Sequence, residues 1–455
     1  MLFEIVFKIK SMKNIFSKNY VQLLLYILVS CSSPDSSKPV ITPVTPVTPV
    51  PPVTSLTWTN DSHLKALYAT VKMQNGVEVG TVGIYADYPL YRVVSALGEG
   101  FTCVDDVARA AIFYLNETDI ATNKEKQDRL LKLTEFVLQL QADNGYFYNF
   151  LQDNFSINKT YSTSVANPDW WSWRALWHLS EAYPFYKSKD AVLAGRIQSS
   201  IQKIVSNIKR DYGSLAKDTK IVKGLTVPKW LPASSGTDQA AVMMLGLYNV
   251  YQQNQDAEVL AIINKHADGI LLMQQGSETV FPYGAFLSYE NTWHAYGSDQ
   301  AYALLKVGKA LNKQNWIAAA QKEVDNFYPY LLKEGFLESF EIQQTGSTIG
   351  LIKKSSFAQI SYGIRPMIWA AIELYKINNE AKYLSQAAQL LAWYAGNNPA
   401  KQKIYDKSTG VCFDGISSNT NVNKNSGAES TIEALWAFQL AEKHPDVLGE
   451  VKKYN

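Results

Sequence analysis

A short pattern returns along this chain at near-constant intervals: a small polar turn, an acid, then a run of Ala, Leu, Met and aromatic residues. It is clearest at FTCVDDVARAAIFYL from Phe101, GTDQAAVMMLGLY from Gly236, GSDQAYALLKVG from Gly297 and SGAESTIEALWAF from Ser426. NPDWWSWRALWHL from Asn167 is a looser copy, and SYGIRPMIWAAIEL from Ser361 is one without the acid. Marked at Asp105, Asp169, Asp238, Asp299, Tyr362 and Glu429, the steps are 64, 69, 61, 63 and 67 residues. Six near-equal units follow. A period this long holds a hairpin of two helices with substantial loops.

Two kinds of helix alternate within the period. In DAVLAGRIQSSIQKIVSNIKR the apolar residues Leu193, Ile197, Ile201, Ile204 and Ile208 form one stripe, as do Leu130, Leu133, Val137 and Leu140 between Asn123 and Gln141. Helices apolar all round are buried, and striped ones face water on one side. Six alternations give an inner ring inside an outer ring, an all-α (α/α)6 toroid of about twelve helices whose inner first turns line one cavity. The pattern predicts helices over Ser62–Gln74, Val104–Asn116, Asn123–Gln141, Asp169–Tyr183, Asp190–Arg210 and Thr237–Gln253. It predicts six more over Asp256–Gln274, Ser298–Leu311, Lys313–Lys333, Phe357–Ile377, Ala381–Tyr394 and Ala428–Lys443. Aromatic, β-prone pieces from Ile84, Gly145, Val280 and Gly335 read as short strands or loops rimming one face.

The toroid is expected over residues 58–455. Before it, residues 1–31 carry Lys8, Lys10, Lys13 and Lys18, the apolar run VQLLLYILVS, and then Cys31; Met12 is an alternative start. The run is short for a membrane span and has the length of a signal-peptide core. Its end, Leu28-Val29-Ser30-Cys31, resembles the lipobox of bacterial lipoproteins, which implies lipidation at Cys31 and an exported protein anchored in the outer membrane, facing periplasm or cell surface. Residues 32–57 repeat Thr-Pro-Val and read as an extended stalk. The net charge of +2, with both signs interspersed, gives no basic stripe for nucleic acid. The protein is expected to act as a monomer. Cys103 and Cys412 lie beside the first and last inner helices and admit either a disulfide or two buried thiols.

The five histidines show no paired metal-ligand spacing, and there is neither a phosphate-binding glycine loop nor a Gly-x-Ser-x-Gly elbow, so no metal or cofactor is called for. The sequence is silent on calcium. Carboxylates at inner-helix mouths remain: Asp105, Asp106 and Glu429, with Asp238, Asp299, Asp414 and Tyr362 as further cavity candidates. Two carboxyl groups across a cleft can hydrolyse a glycosidic bond, one protonating the leaving oxygen while the other activates water or attacks the sugar. Helix capping competes with this reading, because Thr102 with Asp105, Ser235 with Asp238 and Ser426 with Glu429 match the capping-box pattern. Trp170, Trp171, Trp293 and Tyr296 stand at inner-helix openings, either as platforms for sugar rings or as core filling.

The order of these features resembles the six-hairpin glycosidase superfamily and is closest in layout to glycoside hydrolase family 9. The likeness rests on Asp105 and Asp106 at the first inner helix, Gly396-Asn397-Asn398-Pro399 late in the chain, and Glu429 in NSGAEST at the last. The resemblance implies hydrolysis of a polysaccharide or oligosaccharide with inversion, Asp105 and Asp106 holding the attacking water as general base and Glu429 protonating the departing oxygen. Two other readings stay open. Arg109, Arg174 and Arg365 fall within inner helices and need carboxylate partners, either protein acids or an acidic sugar. An acidic sugar suits a polysaccharide lyase of the toroid type, with His294 or Tyr296 taking the proton. A surface lipoprotein that binds glycans without cleaving them needs only the stalk and the aromatics.

Overall fold

The computed structural model describes residues 57–454; the export segment, Cys31 and the stalk lie outside the described residues. The chain enters through α1 (Ser62–Leu67), the hairpin β1 (Tyr68–Lys72) with β2 (Glu78–Val82), and the hairpin β3 (Tyr85–Asp87) with β4 (Arg92–Val94). Helix pairs follow: α2 (Val104–Leu115) with α3 (Lys124–Gln139), α4 (Trp170–Lys187) with α5 (Ala191–Ile208), and α6 (Thr237–Asn254) with α7 (Ala257–Leu272). After the strand at Thr292–His294, α8 (Gln300–Ala310) pairs with α9 (Gln314–Lys322), which runs through a π-turn at Glu323–Phe327 into α10 (Tyr328–Glu334). The last pairs are α11 (Arg365–Asn378) with α12 (Ala381–Ala395), and α13 (Ala428–Ala441) with α14 (Pro445–Val451).

Helices α2, α4, α6, α8, α11 and α13 each pack on the next, and α13 returns to α2, so the six close a ring. Their composition explains the position. In α2 every residue from Val104 to Tyr114 except Asp105 is buried, and in α6 so is every residue from Thr237 to Tyr248. Outer helix α3 buries only Leu130, Leu133, Thr134, Phe136 and Val137, one stripe of its surface. Trp177, Trp369 and Trp436 meet on the ring axis, with centroids 5.1 to 6.5 Å apart. Burying a large apolar side chain contributes about 1.5–3 kcal/mol, so this trio is a stable plug through the middle of the toroid.

Several elements differ from the sequence expectation. The first helix ends at Leu67, and Tyr68–Lys72 is a strand paired with Glu78–Val82, because Tyr68, Thr70 and Val71 favour the pleated surface once a partner is present. Helix α11 begins at Arg365 rather than at Phe357, since Pro366 suits a first turn and Gln359–Ile360 pairs with Gly415–Ile416 instead. The stretch Lys313–Lys333 is broken by the π-turn. Short α14, opening at Pro445, was not expected and helps to cover the sixth inner helix. The piece from Val280 forms turns, whereas Ser339–Thr345 and Thr348–Ser355 make a longer hairpin than the sequence announced. Cys103 and Cys412 are both free and buried, which settles that pair as two thiols.

The π-turn carries a buried acid, Glu323, which is 2% exposed and accepts a hydrogen bond from the Phe286 N–H at 2.8 Å. Burial pushes its carboxyl up to about 8, against the opposing pull of that N–H. A folded-state value above the unfolded one adds stability below the unfolded pKa that is lost as pH rises through the folded value. Glu323→Gln keeps an acceptor for Phe286 and removes the titration. Urea unfolding at pH 5 and pH 8.5 should therefore show the variant losing less stability than the parent, by on the order of a few kcal/mol. Equal losses in both proteins would contradict this.

Candidate active site

The ring delivers the first turns of its inner helices to one end, and there the charged side chains form a single connected network. Arg109 Nη2 donates to Asp105 Oδ2 and to Glu429 Oε1, both at 2.7 Å, and lies 3.5 Å from Asp106 Oδ1. Its Nη1 is 3.4 Å from Glu433 Oε1. Arg365 donates to Glu433 Oε2 at 2.5 Å and to both oxygens of Asp299 at 2.6 and 3.2 Å. Arg174 Nε stands 3.2 Å from Asp105 Oδ1, and its Nη2 is 3.9 Å from Asp299 Oδ2. Residues of α2, α4, α8, α11 and α13 thus meet through their charges.

Depth follows helical spacing. Four residues on an α-helix descend about 6 Å, so Glu433 lies one turn beneath Glu429 and Trp436 close to one turn beneath that. The arginines rest on the tryptophan plug, Arg365 at 4.7 Å from the Trp369 ring and 5.2 Å from that of Trp436, and Arg174 at 5.6 Å from Trp177. Only the top layer opens to the hollow. The Glu429 and Asp105 side chains retain 37% and 23% exposure, whereas Asp106 retains 4% and Glu433 none.

Three guanidinium groups face five carboxyls in this network, Asp105, Asp106, Asp299, Glu429 and Glu433. The positive ends of the inner-helix dipoles offset part of the surplus, and protonation relieves more. Enclosure in the hollow pushes Glu429 up to about 8 against the pull of Arg109, with Asp106 and Asp105 adding to the rise. Asp106 is raised to about 6, first by burial, with Arg109 opposing and Asp105 reinforcing. Asp299 is held below its ordinary value although burial acts the other way, because Arg365 and Arg174 prevail.

The capping reading gives way for Asp105 and Glu429, whereas Asp238 Oδ1 does accept from a first-turn N–H, that of Gln239, at 2.6 Å. The extended Cys103 starts α2, its sulfur accepting from the Asp106 N–H, while the Thr102 hydroxyl accepts from Val82. Gly236 and Gly427 hold the N-cap positions of α6 and α13 with no side-chain bond. Gly427 is needed for a different reason: a Cβ there would lie 1.8 Å from the Ile84 carbonyl oxygen. The chain between β2 and β3 therefore touches the start of α13, with the Ala428 N–H 3.1 Å from the Ile84 carbonyl and the Ser426 N–H 3.1 Å from that of Ala86.

Other expected residues divide between hollow and scaffold. Asp106 is sealed beneath the surface, and of the adjacent aspartates only Asp105 opens to the hollow. Tyr362 is nearly buried and within electrostatic reach of Glu429 and Asp105. Its ring stands 6.0 Å from that of Tyr296, which stacks on His294 at 3.6 Å. His294 Nε2 lies 3.1 Å from Asp238 Oδ2. Arg365 is occupied by Asp299 and Glu433 and is no clamp for substrate. Trp171 gives its indole N–H to the Phe147 carbonyl at 2.6 Å, and Trp293 is 1% exposed and stacked on Phe340, so both are core residues rather than platforms. Trp170 is half-buried and packs on the core. Asp414 braces α13, accepting from Ser430 Oγ at 2.7 Å and from the Gly427 N–H at 3.3 Å. The Gly396–Pro399 turn ends outer helix α12 and lines a surface cleft of about 500 Å³ away from the hollow.

Sequence reasoning passed over Glu433, although an acid four residues beyond Glu429 in an otherwise apolar helix needs a buried cation, and Arg109 and Arg365 were in view. It also passed over Tyr85 and Glu99, which lie on the Glu429 side, Glu99 accepting from Thr163 Oγ1 at 2.9 Å. Among the described residues, no three His, Cys, Asp or Glu side chains are grouped as a metal site.

No protein-family model matches the sequence, and no curated protein matches it. Solved structures do resemble it. A sugar epimerase from a ruminal bacterium superposes with a TM-score of 0.59 at 11% identity, over 85% of this chain and 97% of that one. A cellobiose 2-epimerase from Bacillus thermoamylovorans gives 0.58 at 10%, over 84% and 95%. A family 76 glycoside hydrolase from a bovine Bacteroides thetaiotaomicron strain gives 0.53 at 12%, over 84% and 78%. At such identities the likeness shows the fold alone, an (α/α)6 toroid.

Removing one partner from a buried charge network leaves the others uncompensated, at a cost of about 3–5 kcal/mol. Glu433→Ala strips the only carboxyl shared by Arg109 and Arg365 among the described residues. Chemical denaturation should register a loss of that size, and a loss below about 1 kcal/mol, the range of a surface pair, would show that the network does not act as one unit.

Proposed function

We propose that this protein is a glycoside hydrolase that acts with retention, Asp105 serving as nucleophile and Glu429 as acid and then base. One observation carries the reading: the two open carboxyls share a single guanidinium nitrogen, each 2.7 Å from Arg109 Nη2, so their nearest oxygens are at most about 5.4 Å apart. Retaining pairs stand about 5–5.5 Å apart and inverting pairs about 6.5–9.5 Å, because inversion leaves room for water. The sequence resemblance pointed to inversion; two carboxyls bridged by one guanidinium nitrogen leave less room between them for an attacking water, which supports the other course.

In the first step Asp105 attacks the anomeric carbon as Glu429 gives its proton to the glycosidic oxygen. The carbon–oxygen bond to the leaving group breaks with its electron pair, and a glycosyl ester of Asp105 forms. Glu429, now a carboxylate, takes a proton from water, whose oxygen attacks the anomeric carbon and frees Asp105. Arg109 holds the two groups in register, and the enclosure that raises Glu429 keeps it protonated near neutrality. The shared fold with a family 76 glycoside hydrolase is consistent with this chemistry.

A second reading, epimerisation or isomerisation of a free sugar, is favoured by the Asp238–His294 pair and by the epimerases that share the fold. It breaks no glycosidic bond. Incubating the purified protein with plant, algal and host oligosaccharides, and following products by proton NMR, separates the two. Hydrolysis yields new reducing ends, and retention shows the parent anomer first.

Glu429→Gln and Asp105→Asn should each lower kcat roughly 10²–10⁴-fold with the fold intact by circular dichroism. Because Glu429 must carry its proton in the first step, activity should fall as pH rises through about 8. A Glu429→Gln enzyme as active as the parent would remove the proposed acid from consideration.

A further inference from the structure

In the ribbon β3–β4 burial alternates strictly: Ala86 is buried between the exposed Tyr85 and Asp87. Side chains two apart on a strand share a face, and the pairing sets Val94 opposite Tyr85 and Arg92 opposite Asp87. One face of the ribbon, with Ala86 and Val93, packs on the core. The other turns a tyrosine, a valine, an acid and a base outward.

This outer face is fixed beside Glu429. The Ala428 N–H is shared between the Gly83 and Ile84 carbonyls at 3.2 and 3.1 Å, and a Cβ at Gly427, two residues before Glu429, would stand 3.4 Å from Tyr85 Cα. Farther along, the Tyr88 N–H donates to Asn425 Oδ1 at 3.0 Å, and Asn425 Nδ2 donates to Asp87 Oδ1 at 3.1 Å. Tyr85 is 37% exposed, yet burial pushes its hydroxyl well above the ordinary range, with Glu99 and Glu429 adding to the rise. A residue both enclosed and open to solvent lines a hollow. Its hydroxyl also pulls against the burial that raises the Glu99 carboxyl, so the far end of the ring is engaged by the protein. The ring face is not: among the described residues no other aromatic ring pairs with it.

The position defines the occupant. The acid of a glycosidase stands on the side of the departing sugar, because it protonates the oxygen that leaves. The tryptophans on the axis close the hollow from below, so a chain continuing past the cleaved bond must pass over the rim beside Glu429, where the ribbon stands. A pyranose has an apolar C–H face and hydroxyls that both donate and accept; an aromatic ring suits the first, and an acid beside a base suits the second. A bilayer suits neither Asp87 nor Arg92, since a charge without a partner is costly to take out of water. We propose that the outer face of β3–β4 holds the leaving-group end of a glycan chain, Tyr85 stacking on the first sugar beyond the cleaved bond. Asp87 and Arg92, about 7 Å farther along the strands, bond hydroxyls of the next. The inference rests on the reading of Glu429 as the acid, and it makes the substrate an oligosaccharide or polysaccharide rather than a glycoside of one sugar.

The test follows binding and turnover side by side. Calorimetric titration of the full-length protein would use cello-, manno- and xylo-oligosaccharides of one to four residues, with Glu429→Gln as receptor wherever the parent cleaves the ligand. In at least one series affinity should rise about tenfold between one residue and three. Tyr85→Ala should flatten that rise, Tyr85→Phe, which keeps the ring, should preserve most of it, and Arg92→Ala should weaken only the chains of three or more. In turnover, Tyr85→Ala should lower kcat/KM on the oligosaccharide about fivefold more than on the glycosyl fluoride of the same sugar, whose leaving group touches no platform. Affinity independent of chain length in every series, a rise that Tyr85→Ala leaves intact, or equal losses on the two substrates would each overturn the inference. So would sedimentation with phosphatidylethanolamine–phosphatidylglycerol vesicles that Tyr85→Ala weakens, which would give the face to a membrane. The two readings fail separately. A Glu429→Gln enzyme as active as the parent, with the Tyr85-dependent rise still present, removes the hydrolytic assignment and with it the leaving-group placement; an inactive Glu429→Gln with no such rise removes the ribbon alone.

Discussion

Closing a ring of six helices forces their N-termini toward one point, and the chemistry of the hollow follows from that convergence. Each terminus brings unpaired N–H groups and the positive end of a dipole. Six together make a place where carboxyl groups can gather at a density that water-poor surroundings otherwise forbid. The arginines of α2, α4 and α11 complete the compensation from below, and the tryptophan plug gives their flat faces a surface to rest on. What remains after this compensation is a modest surplus of acid. Together with enclosure in the hollow, the neighbouring Asp106 and Asp105 carboxyls raise Glu429 to about 8 against the pull of Arg109.

The ring was legible in the chain because its inner helices are buried on every side, which erases the polar stripe that other helices keep. The spacing of Asp105, Asp238, Asp299 and Glu429 then marks where each inner helix begins. What could not be read was direction. Adjacent residues on a helix point about 100° apart, so only one of Asp105 and Asp106 can face the axis fully, and the letters DD do not say which. The same holds for tryptophan: Trp171 and Trp293 stand where a platform would, yet turn into the core and find partners there. Glu433 was within reach of reasoning, since its charge had to be answered by an arginine. Short elements such as α1, α14 and the β1–β2 hairpin carry too few residues for any period to show.

Asp105 and Glu429 belong to the first and last units of the ring, and the contact between them is made by the seam where those units meet. That seam is tight. Gly427 lies against the Ile84 carbonyl, Asp414 anchors the opening turn of α13, and the Trp58 and Thr59 N–H groups donate to Glu442 at the far end of the same helix. The pair of open carboxyls therefore exists only once the last helix has docked on the first. Any partly assembled ring holds half of the site.

The tryptophans on the axis have one more effect. Because Trp177 and Trp436 are almost wholly enclosed and Trp369 stacks on the latter at 5.1 Å, the toroid has a bottom. It is a cup and not a tube: no polymer strand can thread it, and whatever enters the cup must back out through the same rim that admitted it.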